Sequence, residues 1–464
     1  MKKINFKNHW IVKAGVILIL VAFISSCETW IDTEMNVDPD APGDVPMNLL
    51  MPGIQQTMGF SLQGNNTVRT VNMWVQILDG VSRQSHTEGK YTHTPADVNN
   101  LWGNIYTEML VNAKILADKA VEQGSPHNEA VANILTAYTL GIATDLFGDI
   151  PYSEALRGTE GVLKASFDTQ QEIYATLMGL LDDAVTLLGE EEPVGIDGDV
   201  IYGGSAGAWI NAARAIKARA ELQLSKRNGA TAYTNALALT DAFSSNDDDM
   251  EVPWETANTN PIYQFMVDRG DIRMSQTLLD ELEANNDPRI PFYYGEDPDG
   301  GITGSIPGSE NEDASPPGDH IAANTAPSVL MSYAELKFIE AEAALQTGNA
   351  SRAATAYQEA VTASVTKVTG AAPDSAFTAD VITSVTAGNI TLEDIIMQKR
   401  HALVGQVQAY SDWRRTGIPT LELVIGATKT GIPRRFPYAQ DETIYNPDNI
   451  PEVANTLVPV WWDE

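Results

Sequence analysis

The run Val329–Val365, VLMSYAELKFIEAEAALQTGNASRAATAYQEAVTASV, holds two apolar faces separated by a turn. Tyr333, Leu336, Ile339, Ala343 and Leu345 recur close to the helical period, and Ala353, Tyr357, Ala360 and Val361 do so again after Gly348-Asn349. That periodicity predicts two helices with one stripe each. The small alanines let the pair approach closely and pack antiparallel.

The same spacing spreads outward from this unit. From Asn128 onward, Val131, Leu135, Tyr138, Ile142 and Leu146 mark one face of a helix, which should break in Phe147-Gly148-Asp149-Ile150-Pro151 because Gly and Pro disfavour continuation. Further helices are predicted over Leu101–Val121, Gln170–Leu188, Ala208–Ser225, Ala232–Phe243, Ser275–Ala284 and Leu392–Val404. The Tyr, Gly and Ala placement in Val329–Val365 resembles a tetratricopeptide repeat, and Leu101–Ile142 and Gln170–Ala242 read as degenerate pairs of the same kind. The fold class is therefore all-α dominated, built of tetratricopeptide-like helix pairs with long irregular loops. β-branched runs alternating with helices are missing, which argues against a parallel sheet. Gly295–Pro327 is the longest irregular segment and is expected on a ligand-facing side. Thr420–Glu464 is an irregular C-terminal segment, and its closing Trp461-Trp462 should pack back onto the body.

Charge and cysteine narrow the function classes. With 29 Lys+Arg against 62 Asp+Glu, the formal net charge of the 464 residues is −33. No basic stripe compensates, so nucleic acid is not an expected partner. The one cysteine, Cys27, excludes internal disulfides and Cys-based zinc sites. It follows a basic start (Lys2, Lys3, Lys7, Lys13) and the apolar stretch Ala14–Ile24, which is too short to span a bilayer but suits a signal-peptide core. Phe23-Ile24-Ser25-Ser26-Cys27 resembles a bacterial lipobox. Residues 1–26 are thus read as a lipoprotein signal peptide, Cys27 as the acylated (palmitate-type) residue, 27–46 as an acidic, Pro-containing tether and 47–464 as a single domain. Cleavage before Cys27 removes four lysines and no acids, so the mature charge is −33 − 4 = −37. Several acyl chains give durable anchoring. Acidic residues after the cysteine resemble the surface-export signal of Bacteroidetes lipoproteins, which implies an outer-membrane, cell-surface location.

Catalytic patterns are sparse. The histidines are scattered without zinc-ligand spacing, so no metal centre is expected, and His86 and His93 read as residues of a solvated loop. Gly203-Gly204-Ser205-Ala206-Gly207 fits G-x-S-x-G, with His320 or His401 as later partners, but a nucleophile elbow needs a parallel sheet. Ser205 is better read as the cap of the following helix. Asp145 and Asp149 lie four apart around the helix break. They could serve acid–base work on a glycosidic bond; the preferred reading has Asp145 holding the backbone of the Gly148–Pro151 turn. No cofactor is expected beyond a structural calcium at Asp197-Gly198-Asp199 or Asp297-Pro298-Asp299-Gly300, where no bidentate Glu follows at EF-hand distance. Aromatics in polar surroundings give the better lead, because a rigid exposed ring is a platform for sugar faces or peptide side chains. Trp74, Tyr91, Tyr293 and Tyr294, with Gln76 and Arg83 as hydrogen-bonding neighbours, are the ligand-binding candidates. Trp254 and Tyr263 share that polar context, whereas Trp102 and Tyr106 have helical spacing and read as core.

Several stretches together resemble the SusD/RagB family of Bacteroidetes outer-membrane lipoproteins. Thr144-Asp145-Leu146-Phe147-Gly148-Asp149-Ile150-Pro151-Tyr152-Ser153-Glu154-Ala155 is similar to that family's turn, with Asp145, Gly148, Asp149, Pro151 and Glu154 as its hallmark positions. Met331–Glu335, Gln398-Lys399-Arg400, Asp412–Gly417, Ile432–Tyr438, Asn286–Arg289 and the terminal Trp461-Trp462-Asp463 match in order. The resemblance implies four tetratricopeptide-like pairs in a SusD-like α-α superhelix. It also implies a surface protein without catalysis that captures an oligosaccharide or peptide and delivers it to a SusC-like TonB-dependent outer-membrane barrel. The rival readings are a surface glycoside hydrolase or esterase, and a structural assembly lipoprotein.

Overall fold

Val329–Val365 folds into the helices Tyr333–Gln346 and Ala350–Thr369 in a computed structural model that describes residues 45–464. The signal peptide, Cys27 and nearly all of the tether lie outside the described residues. Each end of the pair has a local cause. Ser332 caps the first helix by accepting the Glu335 N–H, and Asn349 caps the second by accepting that of Arg352. Gly348 turns the chain at φ +83°, a conformation that costs glycine nothing. Phe338, Ala341 and Ala344 then meet Ala353, Tyr357, Ala360 and Val361 in one buried cluster.

Other helices follow the same logic. Pro126–Phe147 starts with Pro at its first turn and is buried on almost every side, as a helix apolar all round must be. Gln170–Leu187 opens with a capping box between Thr169 and Glu172, and Leu392–Ala402 with one between Thr391 and Asp394. Ala206–Gln223 begins at Ser205, whose hydroxyl accepts the Ala208 N–H. The predicted Leu101–Val121 helix is Asn99–Gly103, a π-helical turn Asn104–Leu110 and Val111–Gln123 in succession. Met47–Ser61, Asn65–Trp74 and Gln408–Thr416 are helices that the periodicity analysis did not pick out. Among the described residues, sheet is limited to two antiparallel pairs: Leu78–Gly80 with Ile272–Met274, and Met250–Val252 with Ser328–Met331.

Buried ion pairs tie the helices to one another. Arg219 grips Glu335 through two nitrogens and also reaches the Leu330 carbonyl. Arg415 pairs with both Glu342 and Asp412, and Asp412 with Lys399 at 2.8 Å. Arg289 folds back on Asp287 and reaches Ser364 and Gln398. The resemblance motifs thus supply several of these interior charges: Glu335, Lys399, Asp412, Arg415, Asp287 and Arg289.

The turn after Phe147 is held differently from expectation. Asp145 does not bind its backbone; it accepts the Tyr174 hydroxyl at 2.6 Å and the Trp462 indole N–H at 2.8 Å. Asp149 instead accepts the Gln170 N–H, while Asp168 takes those of Tyr152 and Ser153. Glu154 accepts from the Ser166 amide and hydroxyl. Asp145 points inward because it is one turn back on the helix, where burial raises its pKa to about 6. Trp462 is fully buried against it, and Asp463 pairs with Lys226 and Arg434, so the C-terminal tail packs onto the body as the paired tryptophans implied. Met47–Glu464 forms one compact unit.

Candidate functional site

The six ligand-binding candidates do not make an exposed platform. Trp74 has no exposed surface: its indole N–H donates to the Glu88 carbonyl, and His93, Tyr410 and Phe436 meet its ring edge-on or nearly so. Tyr91 is equally buried, and its hydroxyl accepts the Val424 N–H. Tyr293 donates to the His401 carbonyl and Tyr294 to that of Ser275, both from the interior. Gln76 is buried between the Glu422 carbonyl and the Thr277 hydroxyl. Arg83 alone is well exposed, and it pairs with Asp271 at 3.0 Å. The physical reason is common to the four rings. Each polar tip finds a backbone partner inside, so the polar sequence around it did not require solvent. These residues anchor loops: Gln76 and Tyr91 hold 422–424 against the body.

The histidines and acids are likewise taken up structurally. His93 is buried rather than solvated, and burial lowers its pKa to about 4. His86 lies on the helix Arg83–Gly89, 3.2 Å from Glu310. Neither His320, packed against the Tyr293 ring, nor His401, bonded to Glu281, hydrogen-bonds Ser205. Asp199 accepts from Gln55, Trp209 and the amides of Ile201, Tyr202 and Gly204. Asp297 accepts from the amides of Asp299 and Gly301 and from Thr303. Asp199 and Asp297 are thus hydrogen-bonded within the protein, while Asp197 and Asp299 are exposed.

Accessible aromatic surface lies elsewhere, around the short helix Gln440–Tyr445. Tyr445 is 71% exposed, the most open aromatic among the described residues. It borders a cleft of about 380 Å³ with Leu163, Val162, Pro151 and Tyr106, whose hydroxyl donates to the Pro151 carbonyl. On the other side of the helix a cavity of about 340 Å³ is walled by Pro95, Phe436, Pro437, Pro451 and Val453. Tyr438, Arg435 and Thr456 also line it, and burial pushes the Tyr438 hydroxyl up to about 12. Both volumes fall in the range of roughly 300–1,000 Å³ typical of small-molecule sites. A larger cleft of about 500 Å³ is rimmed by Glu129, Glu190 and Glu191 but holds no aromatic ring, so it offers no stacking surface. No sequence pattern marked the 440–456 region, because its walls come from an irregular segment and its partners are hundreds of residues away.

Comparison with known proteins follows this geometry. A sequence profile of the SusD-like family, described as starch-binding and associating with the outer membrane, matches residues 40–439. No curated protein matches the chain. Among solved structures, a SusD/RagB family protein from Bacteroides thetaiotaomicron is similar at 25% identity and a TM-score of 0.77, covering 90% of this chain and 99% of its own. A chitin-binding protein agrees at 25% identity and a TM-score of 0.78, with 90% and 100% covered. A chitin-binding SusD homolog from Flavobacterium johnsoniae shares the fold at 24% identity and a TM-score of 0.75, with 90% and 97% covered. With the profile spanning the helix pairs, the Phe147 turn and the buried ion pairs alike, the chain belongs to the SusD-like family.

Proposed function

We propose that this protein is a glycan-binding lipoprotein of the outer membrane, anchored through acylated Cys27 and exposed at the cell surface, that captures an oligosaccharide and delivers it to a SusC-like TonB-dependent barrel. The observation that carries the reading is the match of a starch-binding, outer-membrane family over residues 40–439. Aromatic and apolar clefts beside polar groups around Gln440–Tyr445 are in keeping with it, because sugar rings present one apolar face and a hydroxyl edge. Catalysis has no part in this scheme: the protein holds and releases its ligand unchanged.

Three measurements test the proposal. Metabolic labelling with a fatty acid should mark the wild-type chain and not Cys27→Ser. Affinity purification from solubilised outer membranes should recover a TonB-dependent barrel. Calorimetry against a glycan and peptide panel should find saturable glycan binding without turnover; release of products from any of these substrates would overturn the non-catalytic role.

A further inference from the structure

Helices Gln276–Glu283, Ala350–Thr369 and Leu392–Ala402, with the π-helical turn Thr378–Ile382, border a cleft of about 250 Å³. Gln398 lines it and is 4% exposed. Its Oε1 accepts the Arg289 Nη2 at 2.9 Å, which fixes the orientation of the amide and leaves the nitrogen as its free end. That nitrogen hydrogen-bonds nothing among the described residues and stays open to the cleft. Polar groups of buried side chains are nearly always partnered, so this donor marks a place for a ligand's acceptor. The rest of the lining is of two kinds. Tyr357, Val381, Val385 and Met397 give an apolar wall. Asp380, Glu393 and Asp394 give carboxylates that no basic side chain pairs among the described residues. Asp394 lends one oxygen to the Thr391 cap, whereas Asp380 and Glu393 are exposed. Glu281, also on the rim, is taken up by Arg400 and His401.

The chemistry selects the occupant. Unpaired carboxylates call for a cation, the apolar wall beside them for an alkyl stem, and the amide donor for a carbonyl. A lysine residue in a peptide chain carries all three, because its ammonium ends a flexible hydrocarbon stem that starts beside a main-chain carbonyl. A neutral sugar ring supplies neither the charge nor the stem. The cleft is also smaller than the roughly 300–1,000 Å³ typical of sites that enclose a free small molecule, so it suits one side chain of a larger partner.

We infer that this cleft is a docking pocket for a lysine side chain of a basic partner protein, with the ammonium among Asp380, Glu393 and Asp394, the stem on Val381, Val385 and Met397, and a main-chain carbonyl on Gln398. Charge complementarity argues for that partner twice, locally through the unpaired carboxylates and globally through the net charge of −33. The pocket shares no residue with the clefts beside Gln440–Tyr445, so it stands or falls separately from the glycan-binding reading.

The test is calorimetry on the mature chain at about 0.15 M salt, which screens the general field of the surface. The probes are the peptide acetyl-Gly-Lys-Gly-amide, the same peptide with Nε-acetyl-lysine, and pentylamine. Wild type should bind the lysine peptide about tenfold or more tightly than its neutral counterpart. Asp380→Asn with Glu393→Gln removes two exposed charges, so the double variant should fold as wild type and weaken the lysine peptide about tenfold or more. Glu190→Gln with Glu191→Gln makes the same change in net charge at another cleft and should leave the affinity as it is. Gln398→Glu keeps the acceptor for Arg289 and removes the amide donor. The preference for the lysine peptide over pentylamine, which has no carbonyl, should then shrink about fivefold or more. Equal binding of the two peptides, full affinity in the Asp380 and Glu393 double variant, or an equal loss in the Glu190 and Glu191 double variant overturns the inference. So does tighter binding of pentylamine than of the peptide, or an unchanged preference in a Gln398→Glu chain that melts as wild type does.

Discussion

At the residue scale, burial decides what each side chain does. Asp145 lies in the interior with two hydrogen bonds from Tyr174 and Trp462, and its pKa is raised to about 6, chiefly by desolvation. A carboxyl with a raised folded pKa favours the protonated folded state. Its contribution is therefore fully present below the unfolded value near 4 and is lost as pH climbs through 6. Asp145→Asn keeps an acceptor for both donors and removes the titration. The stability of the variant relative to wild type should rise by roughly 2–3 kcal/mol between pH 4 and 6, measured by denaturant unfolding at each pH. A flat difference would show that Asp145 titrates normally. Trp74 makes the complementary case. Because its ring is enclosed, Trp74→Ala should cost roughly 3–5 kcal/mol of stability in the same assay, by cavity formation rather than by loss of a ligand contact.

Elements are set by local chemistry and then locked by distant partners. Deleting Val460–Glu464 removes the buried Trp462 ring and the Asp463 pairs with Lys226 and Arg434. The truncated chain should melt several degrees lower, with Asp145 left without its indole donor; an unchanged melting temperature would show that the tail is not docked. Glu342→Gln, which strips one partner from the buried Arg415, should cost roughly 3–5 kcal/mol in denaturant unfolding, because an uncompensated charge stays inside. Helix ends were readable where a cap or breaker stood: Ser205, Gly148 and Gly348 all act where their chemistry predicts. Asn65–Trp74 was not readable, because Thr67, Val68, Thr70 and Val71 are β-branched and speak against a helix. Tertiary burial overrides that preference, since eight of its ten residues pack inside.

On the scale of the whole molecule, charge and topology dominate. A net charge of −33 repels itself across the surface. Raising ionic strength from about 0.01 to 0.15 M shortens the Debye length from roughly 30 to 8 Å and should raise the melting temperature in calorimetric scans. A fall would mean that surface ion pairs such as Lys217–Asp182 outweigh the repulsion.

Periodicity, caps and breakers alone established that this chain is built of paired helices with a long irregular tail, because those cues act within one or two helical turns. The ordered motifs identified its kin for the same reason: turns and buried charges leave short, recognisable spellings. Which aromatics face solvent was decided only in three dimensions. Trp74 and Tyr445 are both single aromatics of short helices, yet one is enclosed by Phe436 and Tyr410 from the far end of the chain and the other is left open. Burial depends on what the rest of the chain brings to a residue, and no local stretch contains that information.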